Sequence, residues 1–356
     1  MIKSLTPVNS VVHEALLKVM EGKDLTPPEM MRAFDQIMKG SAGEVEIGAF
    51  LTALRMKGET VAEITAAAQV LRQFVKRVLG LDEKISVVDT CGTGADFSGT
   101  FNISTISAFV ASGAGALVAK HGNRSVSSKC GSVDLLEKLG IDVEEVSRKA
   151  KECLDACGIV FLFAPYFHES MRVVTPVRRA LGIPTVFNLL GPLANPFFAK
   201  RHLVGVYEAT LTLTFAKVLR ALGSQHVLVV HGKDGLDEVT TTAKTHVSEL
   251  RHKRIRSYDI DPKQFKIPRA KPQDLKGGDA ETNARIAEEI LSGTKGPKRD
   301  IVVLNSACAL YAADRVKNIK EGLACAVESI DSGKAMEKLK KLRAFSHGEA
   351  APLEHS

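Results

Sequence analysis

The chain contains no tryptophan, only four tyrosines among 5% aromatic residues, and just six cysteines in 356 positions. The missing tryptophan excludes nothing by itself. The thin aromatic content bears on the net charge of +7, because no aromatic–basic interleaving accompanies it and charge alone does not make a nucleic-acid binder. Much of the excess sits at Lys334, Lys338, Lys340, Lys341 and Arg343, which reads as a solvated helix face. Cys91, Cys130, Cys153, Cys157, Cys308 and Cys325 show neither a disulfide framework nor paired zinc spacing. Cys153 and Cys157 stand four apart on a predicted helix with no histidine pair nearby, so all six read as thiols of a reducing cytoplasm. No uninterrupted apolar run approaches membrane-spanning length, and the opening MIKSLTPVNS has no apolar signal core. The expectation is a cytoplasmic protein with no membrane or nucleic-acid partner.

What is present fits a chain with a sizeable core, hydrophobic residues making up 45% and charged residues 25%. Residues 1–80 read as helices throughout. Capping boxes are predicted at Thr26 with Glu29, Ser41 with Glu44 and Thr60 with Glu63, and Pro27 suits a first helical position. Ile47, Phe50, Leu51 and Leu54 then fall at helical spacing, predicting a bundle. After Gly80 the pattern changes. Short apolar runs at 85–88, 117–119, 159–163, 203–206, 227–230 and 301–304 alternate with helical segments near 103–112, 132–138, 144–157, 210–222, 283–292 and 317–330. Such alternation predicts an α/β fold with a mostly parallel central sheet flanked by helices, beside a smaller all-helical domain. Residues 240–258 read as antiparallel strands near an edge, and 346–356 as a frayed tail.

Three loops carry the chemistry. In VDTCGTGADFSGTFNIST (88–105), Gly92 and Gly94 lie between a strand and a helix, where the backbone can approach a phosphate and the helix start offers unpaired N–H groups. Asn102, Ser104 and Thr105 add side-chain donors. The loop is neither a dinucleotide fingerprint, since Phe97 occupies the third glycine position, nor a P-loop, since no Lys-Ser/Thr follows. In VAKHGNRSVSSKCGS (118–132), Lys120, His121, Asn123, Arg124, Ser127, Ser128 and Lys129 gather donors suited to phosphate oxygens. In HGKDGLDEV (231–239), Asp234, Asp237 and Glu238 can hold one or two Mg²⁺ ions that keep water and diphosphate oxygens as further ligands. Ligands of open α/β sheets bind beyond the carboxyl ends of strands, where such loops collect.

These residues, with PVRRALGIPTVFNLLGPLANP and the N-terminal LTPPEM and GAFLTALRMKGET, resemble the anthranilate phosphoribosyltransferase family over essentially the whole chain. The resemblance implies a helical domain of residues 1–80 rejoined by 165–195, an α/β domain of 81–164 and 196–345, in the nucleoside phosphorylase and phosphoribosyltransferase class, and a homodimer formed through the helical domains. It implies that phosphoribosyl diphosphate is held by Gly92, Ala95, Asp96, Thr100, Asn102, Ile103, Ser104, Thr105, Lys120, His121, Gly122, Asn123, Arg124, Ser127, Ser128 and Ser132. Ser104, Asp237 and Glu238 match the magnesium positions, and Gly92, Asn123 and Arg178 those of anthranilate. His168 lies where the aromatic-substrate channel is lined. A guanidinium at Arg178 suits a carboxylate, which it can grip with two parallel bonds. Ala95 and Phe97 depart from the family's pattern, which has glycine at both. An alanine held at positive φ costs roughly 1 kcal/mol, and the bulk of Phe97 points to a narrower phosphate loop.

The reaction so implied needs no nucleophile and no general base, because an aromatic amine is already neutral at pH 7. Two other readings compete. A pyrimidine-nucleoside phosphorylase shares the architecture but is longer and takes free phosphate on a different loop. A non-catalytic nucleic-acid-binding relative would have no use for Arg178 or for the acidic pair.

Overall fold

A computed structural model describes residues 10–80, 85–94, 96, 98–125 and 129–349. The chain opens with four helices, α1 (Val11–Met20), α2 (Pro27–Met38), α3 (Glu44–Lys57) and α4 (Val61–Gln73). It continues through β1 (Val87–Asp89), α5 (Ile103–Gly113), β2 (Leu117–Gly122), α6 (Ser132–Lys138), α7 (Val143–Arg148), α8 (Ala150–Cys157) and β3 (Ile159–Phe163). Then come α9 (Ala164–Phe167), α10 (Thr175–Leu181), α11 (Val186–Leu190), β4 (Arg201–Gly205), α12 (Leu211–Ala221), β5 (His226–Gly232), β6 (Thr245–Arg251) and β7 (Arg254–Ile260). Four helices close it: α13 (Ala280–Leu291), α14 (Pro297–Ala312), α15 (Ile319–Asp331) and α16 (Lys334–Ser346). No described helix is long and apolar enough to cross a membrane.

The described residues up to Val75 form one compact unit with His168–Ala194. Its core is aromatic: Phe34 packs edge-on against Phe50 at 6.4 Å and tilted against Phe187 at 5.3 Å. The cap of α4 forms as the sequence predicts, with Glu63 N–H donating to the Thr60 hydroxyl and Thr60 N–H returning to the Glu63 carboxylate at 2.8 Å. At α2, Glu29 accepts from both the amide and the hydroxyl of Thr26. The box expected at Ser41 does not form. Gly43 caps α3, which puts Glu44 at the first helical position, too early to reach back. Ser41 instead closes the end of α2, its amide donating to the Gln36 carbonyl.

The second unit spans Lys76–Phe167 and the residues from Asn195 onward. Its seven-stranded sheet has the order β3-β2-β1-β4-β5-β6-β7. The first five strands in that order are parallel; β6 and β7 add antiparallel, as the alternation at 240–258 predicts. The parallel strands are buried along nearly their whole length, Ile159–Phe163 entirely, because helices cover them. β1 lies where the winding reverses, with β2 and β3 to one side and β4 onward to the other. That is the switch point at which α/β sheets bind ligands.

One predicted strand is a helix. The run 301–304 lies inside α14, in which every residue from Ile301 to Ala312 is buried. An apolar run this short does not distinguish a buried strand from a buried helix, and the packing of α14 against α5, α15 and the sheet removes the polar face that would have marked it. The basic residues of α16 are not all solvated either. Lys338 donates to the Cys157 carbonyl at 2.8 Å and Arg343 to the Leu139 carbonyl at 2.7 Å, closing the ends of α8 and α6.

The antiparallel edge is fixed by Glu249, fully buried on β6. Arg256 and Tyr258 on β7 and Tyr311 on α14 all donate to its carboxylate at 2.8–3.0 Å, and His226 on β5 stands 3.6 Å away. Burial alone would raise this carboxyl, but the hydrogen bonds outweigh it and hold it at about 2. A depressed carboxyl stabilises the fold above its ordinary value of 4.5 and loses that contribution as pH falls toward 2. The contribution is roughly 3 kcal/mol. Glu249→Gln is therefore expected to narrow the stability gap to wild type steadily from pH 4.5 to 2 in urea titrations. A gap independent of pH in that window would contradict the assignment.

Candidate active site

The glycine-rich loop leaves β1 and turns into α5, the basic loop leaves β2, and the acidic loop leaves β5 one strand beyond β4, so all three rise from the carboxyl ends of parallel strands. Hydrogen bonds join them. Glu238 accepts from the Ser104 amide at 3.0 Å, and Asp237 from the Gly94 amide at 3.0 Å. Lys120 is 3% exposed and donates to the Thr90 carbonyl at 2.7 Å and the Ser104 hydroxyl at 3.1 Å. A buried ammonium, the N-terminus of α5 and two carboxylates thus share one small volume.

Each loop is braced locally. Asn102 caps α5 without a side-chain bond to it. Its amide donates instead to the Cys130 carbonyl at 3.1 Å and accepts from Asn283 at 2.9 Å. Asp96 accepts from the Ser98 amide, Ser98 and Thr100 share a hydroxyl contact at 3.1 Å, and Thr100 pairs with Lys276 across a bridge. Ile103 and Thr105 are buried at the start of α5. In the basic loop, the His121 amide donates to Asp89, Asn123 accepts from the Arg124 amide, and the Ser132 hydroxyl donates back to the Asn123 carbonyl. Gly122 faces that same hydroxyl, where a Cβ would come within 2.4 Å. Arg124 is turned to Glu137 on α6, with paired bonds of 2.5 and 2.6 Å.

In the acidic loop Asp234 serves its own turn, accepting from Leu236 and from the Thr240 and Thr242 hydroxyls, which leaves Asp237 and Glu238 facing the glycine loop. Burial raises the Asp237 carboxyl, and the negative charges of Asp96 and Glu238 raise it further. Burial likewise raises Glu238, against the pull of Lys120 and Ser104. The pocket is short of positive charge, which a divalent cation would supply. Among the described residues no group of three or more His, Cys, Asp and Glu is arranged to hold a metal unaided. The donor set fits Mg²⁺, which keeps several waters and takes one or two carboxylates together with substrate phosphate. The Cys91 thiol is pushed up to about 12 by burial and by Asp89, so it offers no thiolate nucleophile.

Arg178 and His168 belong to the helical unit. Arg178 lies on α10, half-buried, its guanidinium 5.7 Å from the Phe187 ring centre, and burial lowers its basicity. His168 is buried ahead of the short 3-10 turn Glu169–Arg172. Ala95, Phe97, Ser127 and Ser128 lie outside the described residues.

Comparison with known proteins identifies the family. Residues 84–336 match the family described as "Glycosyl transferase family, a/b domain", and residues 13–75 its "helical bundle domain". The anthranilate phosphoribosyltransferase of Acetivibrio thermocellus is 49% identical over 95% of this chain and 97% of its own length. That of Symbiobacterium thermophilum is 50% identical over 94% and 98%. The chain belongs to the anthranilate phosphoribosyltransferase family. The solved structure of the family member from Thermus thermophilus superposes with a TM-score of 0.86 at 38% identity, covering 94% of this chain and 99% of that one. The Saccharomyces cerevisiae member, solved "in complex with PRPP and Mg", superposes with a TM-score of 0.86 at 30% identity, covering 95% and 98%.

Several residues that shape the site escaped the loop motifs. Asn305 on α14 is fully buried and holds the acidic loop by accepting from the Val239 amide and donating to its carbonyl, both at 2.9 Å. A lone asparagine in the apolar run IVVLNSACAL was the available signal, since a buried amide must find partners. Asn283, which orients Asn102, had no such signal. Gly205 ends β4 directly beneath the acidic loop, where a Cβ would lie 1.5 Å from the Asp237 carbonyl oxygen. Gly205→Ala must displace that loop, with an expected loss of about 3 kcal/mol or more in urea unfolding. A loss under about 0.5 kcal/mol would show that the loop shifts freely.

Proposed function

We propose that this chain transfers the 5-phosphoribosyl group of phosphoribosyl diphosphate to the amine of anthranilate, releasing diphosphate, a step of tryptophan biosynthesis. The observation that carries the reading is the joining of Lys120, Ser104 and Glu238 at the N-terminus of α5, in a chain half identical to enzymes named for this reaction. Breaking the anomeric C–O bond sends negative charge onto the diphosphate. Lys120 and the positive N-terminal end of α5 stand where that charge would collect, and they are already oriented before the reaction begins. Mg²⁺ held by Ser104, Asp237 and Glu238, as one ion or two, would neutralise the leaving diphosphate. The incoming amine needs no base, and the raised Cys91 thiol speaks against a covalent intermediate.

The phosphates are assigned to the glycine-rich loop and to the segment Lys120–Ser132. Anthranilate is assigned to Arg178 and Asn123, with Gly92 where both substrates meet. Arg178 grips the carboxylate, and its partial burial strengthens a charged pair by excluding water. A homodimer through the helical unit is supported by the exposed apolar side chains Leu17 and Met20 on α1 and Val45 and Met56 on α3. A cytoplasmic location fits six cysteines that form no disulfide with one another.

Mixing the protein with anthranilate and phosphoribosyl diphosphate is expected to extinguish anthranilate fluorescence with Mg²⁺ present and to leave it constant with EDTA. Loss of fluorescence at equal rates in both would remove the metal from the reading, and none in either would end it. Arg178→Ala is expected to raise the anthranilate KM at least about tenfold and the sugar-diphosphate KM less than about twofold. Equal changes in both would contradict the role.

A further inference from the structure

β1 pairs with β2 only as far as Val88 opposite Val118, whereas β2 runs on to Gly122 against β3. Beyond Val88 the two strands therefore part, and from the parting point each sends out one of the phosphate loops. Their backbone groups at this point must find other partners, because a buried amide or carbonyl left alone is destabilising. Two side chains provide them. Asp89 Oδ1 accepts from the Cys91 amide at 2.9 Å and from the His121 amide at 3.2 Å, one on each loop. Asp89 Oδ2 accepts from Asn195 Nδ2 at 2.7 Å, and the same Nδ2 donates to the Ala119 carbonyl on β2 at 2.8 Å. Asn195 Oδ1 accepts from the Phe197 amide at 2.8 Å. Asp89 is 1% exposed and Asn195 2%, so the pair is buried and each of its side-chain polar atoms is bonded.

We propose that Asp89 and Asn195 are positioning residues, a buried brace that replaces the main-chain ladder beyond Val88 and sets the spacing of the two loops that grip the sugar diphosphate. Neither residue touches the reacting atoms. The brace acts because the sugar diphosphate carries phosphate at both ends, so loops set at the wrong separation can satisfy one end only. A rigid span between two anion sites is what converts two weak contacts into one tight one. Apolar residues of similar size would fill the same space, but they would strand the Cys91 and His121 amides and the Ala119 carbonyl.

The inference rests on the function proposed above, and its test separates the two. Steady-state constants for both substrates, with calorimetric titration of phosphoribosyl diphosphate and Mg²⁺, would be measured for wild type, Asp89→Asn, Asn195→Asp and the double variant carrying both changes. Asn195→Asp sets two carboxylates face to face and Asp89→Asn two amides, while the double variant restores an amide–carboxylate pair. Each single variant is expected to raise the KM and Kd for the sugar diphosphate about ten- to a hundredfold, with the anthranilate KM changed less than about twofold. The double variant is expected to recover at least part of that loss. Should Asn195→Asp fail to fold, Asn195→Ser removes the same donor more gently and is read in the same way. The brace is refuted if wild type turns over while the variants keep the sugar-diphosphate KM within about twofold. It is equally refuted if the two KM values rise by the same factor. Failure of wild type to consume anthranilate would instead overturn the functional reading, and the inference with it.

Discussion

The hydrogen bond from the Ser104 amide to Glu238 is the contact on which the site depends. It docks a negatively charged turn on the positive end of α5, a favourable arrangement that would be self-limiting with one carboxylate. Here Asp96, Asp237 and Glu238 crowd together against a single buried lysine, and the protein leaves the excess charge unneutralised. Burial raises both carboxyls of the acidic pair, and neighbouring negative charge raises them further. A divalent cation would supply the positive charge this cluster calls for, and would in turn attract the negative polyphosphate.

Keeping such a pocket open requires stiff walls. The sheet supplies them: it reverses its winding between β1 and β4, and β1 and β2 separate beyond Val88, just where their loops begin. The break in the main-chain ladder beyond β1 is closed by buried Asp89 and Asn195, while buried Asn283 and Asn305 hold the glycine-rich and acidic loops. Polar groups of this kind are poor at adding net stability, but good at fixing one arrangement, because every alternative leaves a buried donor or acceptor alone. Gly205 completes the scaffold by letting the acidic loop lie directly on the end of β4.

Much of this was legible along the chain, in different degrees. The alternation of short apolar runs with amphipathic stretches announced a parallel α/β sheet with a helical partner, because covering helices force such strands to be apolar on both faces. The antiparallel edge was legible from its alternating threonine, valine and basic residues. Where the reading failed, the cause was local ambiguity. The run 301–304 is a helix because neighbours on all sides removed its polar face, and the cap at Ser41 moved to Gly43 because Ser41 is held by the preceding helix.

The sequence by itself determined the chemistry available: glycines and hydroxyls in one loop, basic donors in a second and carboxylates in a third, each placed next to a strand. Local composition encodes these because turn geometry and charge are properties of short segments. Only the tertiary structure decided which groups face one another. Asp237 and Glu238 turn to the glycine loop while Asp234 closes its own turn, Arg124 is drawn to Glu137, and Asp89 finds Asn195 more than a hundred residues away. These pairings depend on strand order and on where a ladder ends, and both are set by packing of the whole sheet rather than by any segment of it.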